Sequence, residues 1–167
     1  MKIPLALVLL AVSLTSHSQT NGEWTYQSKQ PFYAGTVNDS GHVFGQWCDI
    51  DAGSCMYVVV LSTRCDDDSS YPVLVNSDVH SLSTTLVCRG RLESGKYRYA
   101  LGNFDDIDGM VRKAKRLGIA IPLEGDQFHV IRFSLEGALV SLTIMRAAAE
   151  KAVPPTQPTR NTRDQRL

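Results

Sequence analysis

The sequence predicts a mainly β domain, either a sandwich or a strongly curved antiparallel sheet of about eight strands, with one amphipathic helix packed across it. Runs of strand length, rich in β-branched and aromatic residues, recur along the chain between turns of Asn, Asp, Ser and Gly. One longer segment has the apolar spacing of a helix. Because the apolar face of that helix must be covered, a sheet with a helix across it is favoured.

Composition and charge exclude several classes of protein. The chain has 167 residues, of which 43% are apolar and 20% charged, so disorder, collagen and a multi-pass membrane protein are excluded. Seventeen basic residues balance seventeen acidic ones. The excess of positive charge typical of nucleic-acid binders is absent, and no nucleic-acid partner is expected.

The N-terminal residues predict export. One positive charge at Lys2 precedes an apolar run, and small and polar residues follow it up to Ser18, as in a secretory signal peptide. We place the signal at residues 1–18, with cleavage after Ser18. The apolar run of about twelve residues is shorter than the roughly twenty that cross a bilayer as a helix. A periplasmic or secreted protein without a stable membrane anchor is therefore predicted.

The first elements of the mature chain are strands. Residues 24–37 form one edge strand or two short ones, since Pro31 interrupts the pattern. An up-and-down arrangement of strands is then predicted for residues 43–48, 56–65, 71–76 and 81–88. Residues 96–101 alternate aromatic and basic side chains, as on a half-exposed strand.

The four cysteines predict two disulfides, since an even number in an exported chain favours pairing. Cys55 and Cys65 lie at opposite ends of one strand, roughly 33 Å apart, which is beyond the reach of a disulfide. The up-and-down arrangement brings Cys48 to Cys55 and Cys65 to Cys88. We predict these two pairs, the first closing a tight loop, here called the 48–55 loop. A zinc site is not favoured, because the sequence has no C-x-x-C pair.

Residues 104–117 are predicted to form the helix. Their apolar side chains recur at spacings of three and four, acidic residues lie at the start and basic residues at the end. Gly118 is the expected stop. Residues 119–123 follow as a strand, and residues 128–135 and 139–145 as a closing hairpin. A short helical turn over residues 146–151 completes the single domain, residues 19–152.

The Pro- and Arg-containing segment 153–167 has almost nothing to bury and is predicted to be a disordered tail.

No catalytic, cofactor or metal site is predicted. The mature histidines His42, His80 and His129 have no i, i+4 pairing of the kind that binds metal on a helix. Asp49 and Asp51 begin like a calcium loop but lack its later ligands. Catalysis by His42 or His129 would require an aspartate within about 3 Å.

A candidate binding surface consists of Asp49 and Asp51 in the 48–55 loop together with Tyr97 and Tyr99 on the later strand. Tyrosine is a residue type that anchors protein interfaces. The same tyrosines could instead fill one face of a sheet.

Residues 107–145 also show a resemblance to a known family. A helix, the strand Ile-Ala-Ile-Pro-Leu and the segment Phe133-Ser-Leu-Glu-Gly137, with the paired cysteines, resemble the closing part of invasion-associated locus B family proteins. The likeness covers about half of the mature chain. It implies an exported bacterial β-sandwich with no known catalytic residues, so no site residue is carried over.

Three functions remain compatible with the sequence. We expect an exported, non-catalytic interaction module whose partner is another envelope or secreted protein. One alternative is an inhibitor or immunity protein that uses the 48–55 loop against a secreted enzyme or toxin. The other is a small envelope hydrolase that uses His42 or His129.

Overall fold

The computed structural model describes residues 18–123 and 127–153. The predicted signal peptide and tail lie outside the described residues, apart from Ser18 and Val153. No helix in the described part of the chain is long and apolar enough to cross a membrane.

The described residues form ten strands, which make up a single antiparallel sheet, and two helices. In chain order these are β1 (Gln19–Asn21), β2 (Trp24–Gln27), β3 (Phe32–Val37), β4 (Val43–Asp49), β5 (Ser54–Leu61), β6 (Ser70–Ser77), β7 (Ser81–Arg91), β8 (Tyr97–Leu101), α1 (Phe104–Val111), β9 (Arg116–Pro122), β10 (Phe128–Ser134) and α2 (Ala138–Ala152). The order across the sheet is β1-β2-β3-β4-β5-β8-β7-β6-β9-β10. The predicted mainly β class is confirmed, with ten strands instead of about eight.

Both predicted cysteine pairs are confirmed. Cys48 and Cys55 face each other in the β4–β5 register, and their Sγ atoms are 1.97 Å apart. Cys65, in the loop after β5, bonds to Cys88 of β7. The predicted strand order was wrong, because β8 lies between β5 and β7. The second pair still forms, since the loop reaches β7 through a hydrogen bond from the Cys88 amide to the Ser69 carbonyl, 2.9 Å.

The helix predicted over residues 104–117 is shorter in the structure. It ends at Val111, and Arg116–Pro122 is instead β9, paired with β6 on one side and β10 on the other. The Asp78 carboxylate accepts the backbone N–H groups of Lys115 (2.9 Å) and Arg116 (3.2 Å) and so directs the chain into the strand. Two ladders satisfy more of the backbone of this segment than another helical turn would.

The strand predicted over residues 139–145 is wrong, because this segment belongs to the helix α2. The prediction of a single helix is corrected with it. The sheet-facing side of α2 has the helical spacing i, i+3, i+4, i+7 and i+11, which is shared by Ala138, Ser141, Leu142, Met145 and Ala149. Its outward residues are also apolar at Leu139, Val140 and Ile144. Apolar residues on both sides weaken the helical periodicity in the sequence.

The sheet curves until its last strand approaches the β2–β3 region without joining it in a ladder. The Trp24 indole N–H donates to the Ser134 carbonyl (2.9 Å), and the Asn38 side-chain amide donates to the Arg132 carbonyl (3.1 Å). We call this contact between residues 38–43 and β10 the seam. Inside the curve, the ring of Phe44 stacks on that of Tyr57, with centroids 5.6 Å apart. The helix α2 covers β1 to β4.

Candidate functional site

The 48–55 loop is an exposed and internally braced turn. The Asp49 carboxylate accepts the backbone N–H groups of Asp51 (2.9 Å) and Ala52 (3.1 Å), and the Gly53 N–H donates to the Ile50 carbonyl. Asp49 therefore helps to hold the loop, while the carboxylate of Asp51, at the exposed tip, accepts no hydrogen bond among the described residues. Together with the Cys48–Cys55 disulfide, these bonds limit the shapes that the loop can adopt.

A cavity of about 330 Å³ lies between the 48–55 loop and the two helices. The disulfide and Phe104 line its apolar part, together with Ile50 and Ala149. The carboxylate-bearing residues Asp49 and Glu150 and the guanidinium of Arg146 supply its polar lining. Mainly apolar concavities of this volume with a few polar groups are typical of binding sites.

A cluster of charged and polar side chains supports the Arg146 side of the cavity. Arg146 of α2 makes a salt bridge with Asp108 of α1, and its Nε donates to the Oε1 of Gln46, 2.7 Å away. The hydroxyl of Tyr57 donates to Asp108 Oδ1 (2.8 Å), and Arg112 Nε donates to Oδ2 (2.7 Å). The side chains of Arg146 and Asp108 are only 20% and 15% exposed. The cluster joins both helices to β4 and β5.

In the cluster, Asp108 and Arg146 stay charged and Tyr57 stays neutral throughout the neutral range. Burial acts to raise the pKa of Asp108, but hydrogen bonds from Arg146, Tyr57 and Arg112 outweigh it and lower this pKa to about 2. Burial and the neighbouring carboxylate raise the pKa of the Tyr57 hydroxyl well above its ordinary range. Burial acts to lower the pKa of Arg146, but its bonds to Asp108 produce a net increase. The directions of these shifts all favour the charged forms of Asp108 and Arg146 and the neutral form of Tyr57.

The two histidines considered for catalysis are neighbours across the seam. The ring centroids of His42 and His129 are 6.1 Å apart, and both rings line a cavity of about 220 Å³ with Asp39 and Ser40. Burial, followed by the charges of His129 and Lys96, lowers the pKa of His42. In the described residues no hydrogen bond joins either histidine to a carboxylate, so the aspartate contact that the hydrolase alternative requires is not formed there.

The candidate binding surface is divided between two parts of the fold. Tyr99 is 3% exposed, and its hydroxyl donates to the Thr63 carbonyl at 2.8 Å, so it belongs to the core. Tyr97 is half-buried and packs against the same core. It pairs with Leu61, at the opposite end of β5 from Cys55. The structure therefore does not bring the tyrosines together with Asp49 and Asp51.

Sequence reasoning missed the charged cluster beside the cavity. Gln46 stands at a core-facing position between Phe44 and Cys48 on β4, and a polar residue in such a place needs a buried partner. That signal shows that a partner exists but does not identify it, because Arg146 lies 100 residues away. Asp108 is one of the acidic residues at the start of the predicted helix, and the sequence indicates for it only an interaction with the helix dipole.

The described part of the chain contains no group of three or more His, Cys, Asp or Glu side chains placed to share a metal ion.

The fold is similar to that of a solved bacterial protein. The crystal structure of invasion associated protein B from Bartonella henselae matches with a TM-score of 0.57 and 16% identity, over 81% of this chain and 99% of that one. No family model matches the chain, and no curated protein does. The resemblance predicted from residues 107–145 is thus confirmed at the level of the fold.

Proposed function

We propose that the protein is an exported, non-catalytic interaction module that binds another envelope or secreted protein through the 48–55 loop and the adjoining cavity. The observation that carries the proposal is the 330 Å³ cavity beside an exposed, disulfide-clamped loop. Arg146 and the neighbouring Asp108 are tied to each other and to Tyr57 by structural bonds.

The loop is suited to binding because it is already ordered. A rigid loop loses little conformational entropy when it meets a partner. Here the disulfide and the hydrogen bonds accepted by Asp49 supply the rigidity. The exposed tip then offers Asp51 to the partner.

The cavity defines the chemistry that the partner should present. Its apolar part, between the disulfide and Phe104, can take one apolar anchor side chain. The charge of Arg146 is balanced by Asp108, so Asp49 and Glu150 set the charge of the rim, and the exposed tip of the loop adds the carboxylate of Asp51. The fitting partner therefore carries an apolar residue flanked by Lys or Arg.

Export is supported by the disulfides, since two such bonds are typical of an oxidising compartment. The structural neighbour is described as invasion associated, and a role in contact between the bacterium and another protein is consistent with the binding function proposed here.

Site-specific photocrosslinking tests the proposal. A photoreactive residue in place of Ala52, beside Asp51 at the exposed tip of the loop, should capture one envelope or secreted protein, whereas the same residue in place of Ser81, on the β6–β7 hairpin, should not. The substitution Glu150→Lys should abolish capture from position 52 because it reverses the charge of the rim. The same reversal in the exposed turn between β7 and β8, Glu93→Lys, should leave capture intact. Equal capture from both positions, or capture insensitive to Glu150→Lys, would reject the proposal.

The inhibitor alternative remains open because the 48–55 loop is exposed on a disulfide-braced hairpin. If the captured partner is an enzyme or toxin, stoichiometric addition of the protein should inhibit it. The variant Asp51→Lys should then lose inhibition in parallel with binding. A captured enzyme that stays fully active when saturated would exclude this role.

A further inference from the structure

The seam brings together two imidazoles from distant parts of the sheet. His42 immediately precedes β4, whereas His129 lies in β10, the last strand in the sheet order. No strand ladder joins these two elements. Their rings nevertheless face a common polar cavity, with centroids 6.1 Å apart.

The ring separation is compatible with one shared metal ion. A bound imidazole nitrogen lies about 2.0–2.1 Å from the metal, so the ring centroid lies roughly 3.2 Å from it. Two imidazoles on one ion can therefore have centroids up to about 6.4 Å apart, or about 5.2 Å in a tetrahedral arrangement. The observed 6.1 Å lies within this limit, and a side-chain adjustment of less than about 1 Å would reach the tetrahedral value.

One ring nitrogen of His42 has no partner within the described part of the fold. Its Nδ1 is buried and makes no hydrogen bond there. Imidazole nitrogens are common metal ligands.

The surrounding charges set the strength of the site. Asp39 contributes a carboxylate at the cavity, while Arg132 lines it and Lys96 acts on His42 as a nearby cation. The Lys96 ammonium is held by the Gly41 carbonyl. These two cations repel any divalent ion, so binding must rely on coordination by the imidazoles, which Ca²⁺ and Mg²⁺ do not favour. Imidazole ligands favour late transition metals, with Cu²⁺ above Zn²⁺ in the affinity order.

We infer that His42 and His129 bind one divalent transition-metal ion, Cu²⁺ or Zn²⁺, across the seam, with water in the remaining coordination positions. The bound ion links the start of β4 to β10 and so fastens the open side of the sheet. This site is separate from the 48–55 loop and does not depend on the function proposed for that loop.

Calorimetric titration of the untagged protein with ZnCl₂ and with CuCl₂ tests the inference, after the N-terminus has been determined by mass spectrometry. We expect one ion per chain, tighter binding of Cu²⁺, and a higher melting temperature with metal because the ion binds only the folded state. Binding should weaken in acid, because protons compete with the metal for imidazole nitrogens.

Single substitutions identify the ligands. His42→Ala and His129→Ala should each weaken binding more than about tenfold, since even loss of a supporting contact has such effects at metal sites. The exposed histidine in the β6–β7 turn provides the matched control, and His80→Ala should bind like the wild type. Melting temperatures measured in EDTA separate loss of the ligand from loss of the fold, because without metal His42→Gln should melt like the wild type. Unchanged binding by both single variants, or equal loss in His80→Ala, would overturn the inference.

Discussion

Asp108 shows how much one side chain contributes to the cavity wall. Its carboxylate faces the guanidinium groups of Arg112 and Arg146 and accepts a hydrogen bond from the hydroxyl of Tyr57. If its charge is removed, Arg146 remains in a mostly buried place without its counter-charge. Breaking one partner of a buried pair is far more costly than the net contribution of the intact pair.

The substitution Asp108→Asn should therefore lower the free energy of unfolding by about 2–4 kcal/mol, a value reduced for partial exposure. Asp106→Asn, on the exposed side of the same helix, should cost less than about 1 kcal/mol, because it loses only an interaction with the helix dipole. Denaturant unfolding of the two variants measures both. Equal stability of the two variants would mean that the ion pair is not structural.

The same carboxylate predicts a pH dependence. The folded-state pKa of Asp108 is about 2, below its ordinary value of 3.8, so its stabilisation is fully present above about pH 4. It is lost as the pH falls from about 4 towards 2. The difference in unfolding free energy between the wild type and Asp108→Asn should shrink across this range, as urea titrations at several pH values would show. A constant difference would contradict the low pKa.

Two glycines with left-handed backbones provide a matched comparison. A Cβ added at Gly137, where φ is 89°, would lie 1.8 Å from the Asn21 carbonyl oxygen, whereas at Gly53, φ 61°, it would meet nothing within 4 Å. Gly53→Ala should cost about 1 kcal/mol from backbone strain alone. Gly137→Ala should cost more than about 3 kcal/mol, because the strain and the collision add. Similar melting temperatures of the two variants would contradict this.

At the level of the elements, α2 is the element that is hardest to predict from the sequence. Val140, Thr143 and Ile144 are β-branched and favour a strand in isolation. In the structure the spacing of the buried residues is helical, and Met145 packs its sulfur 3.4 Å from Cys48 Sγ. Packing against four strands decides the outcome over local propensity.

Neighbouring substitutions in α2 test the helical face. Met145 is fully buried, so Met145→Ala should cost about 2–4 kcal/mol. Ile144 is 38% exposed, and Ile144→Ala should cost less than about 1 kcal/mol. Thermal or denaturant unfolding separates the two. If Ile144→Ala costs more than Met145→Ala, the orientation of the helix is contradicted.

Elements were predictable where local pattern and tertiary pairing agree. The β4–β5 hairpin has a strand-like sequence on both sides of a Gly-containing turn, and its disulfide follows from register. The segment after Val111 shows the opposite case. Its apolar residues fit one helical face, but β9 is inserted between β6 and β10, and that non-local pairing cannot be read from the segment itself.

At the scale of the whole molecule, the two disulfides close loops of different length. The loop-entropy relation assigns about 2.5 kcal/mol to the bond with sequence separation 7 and about 3.5 kcal/mol to the bond with separation 23. The double variant Cys65→Ser/Cys88→Ser should therefore be less stable than Cys48→Ser/Cys55→Ser, as measured by denaturant unfolding. Mass spectrometry after alkylation should show no modified cysteine in the wild type. The reverse order of stability would mean that contacts around Cys48 outweigh loop entropy.

The candidate site depends on the whole molecule more than the fold class does. Asp49 and Asp51 were predicted because the 48–55 loop is local. The opposite wall of the cavity comes from α1 and α2, and its key side chain, Arg146, acquires its role only when Asp108 and Gln46 meet it. A composition or spacing rule cannot locate contacts of that range.

Because Gly137 packs closely against Asn21, the fold is complete only when the two ends of the domain are in contact. The β1–β2 turn donates the Glu23 N–H to the Glu136 carbonyl, and Trp24 bonds to a residue 110 positions later. The first hairpin therefore lacks its packing partner until nearly the entire domain is available to fold. Such long-range closure slows folding, and the Trp24 indole stays in contact with solvent until it forms.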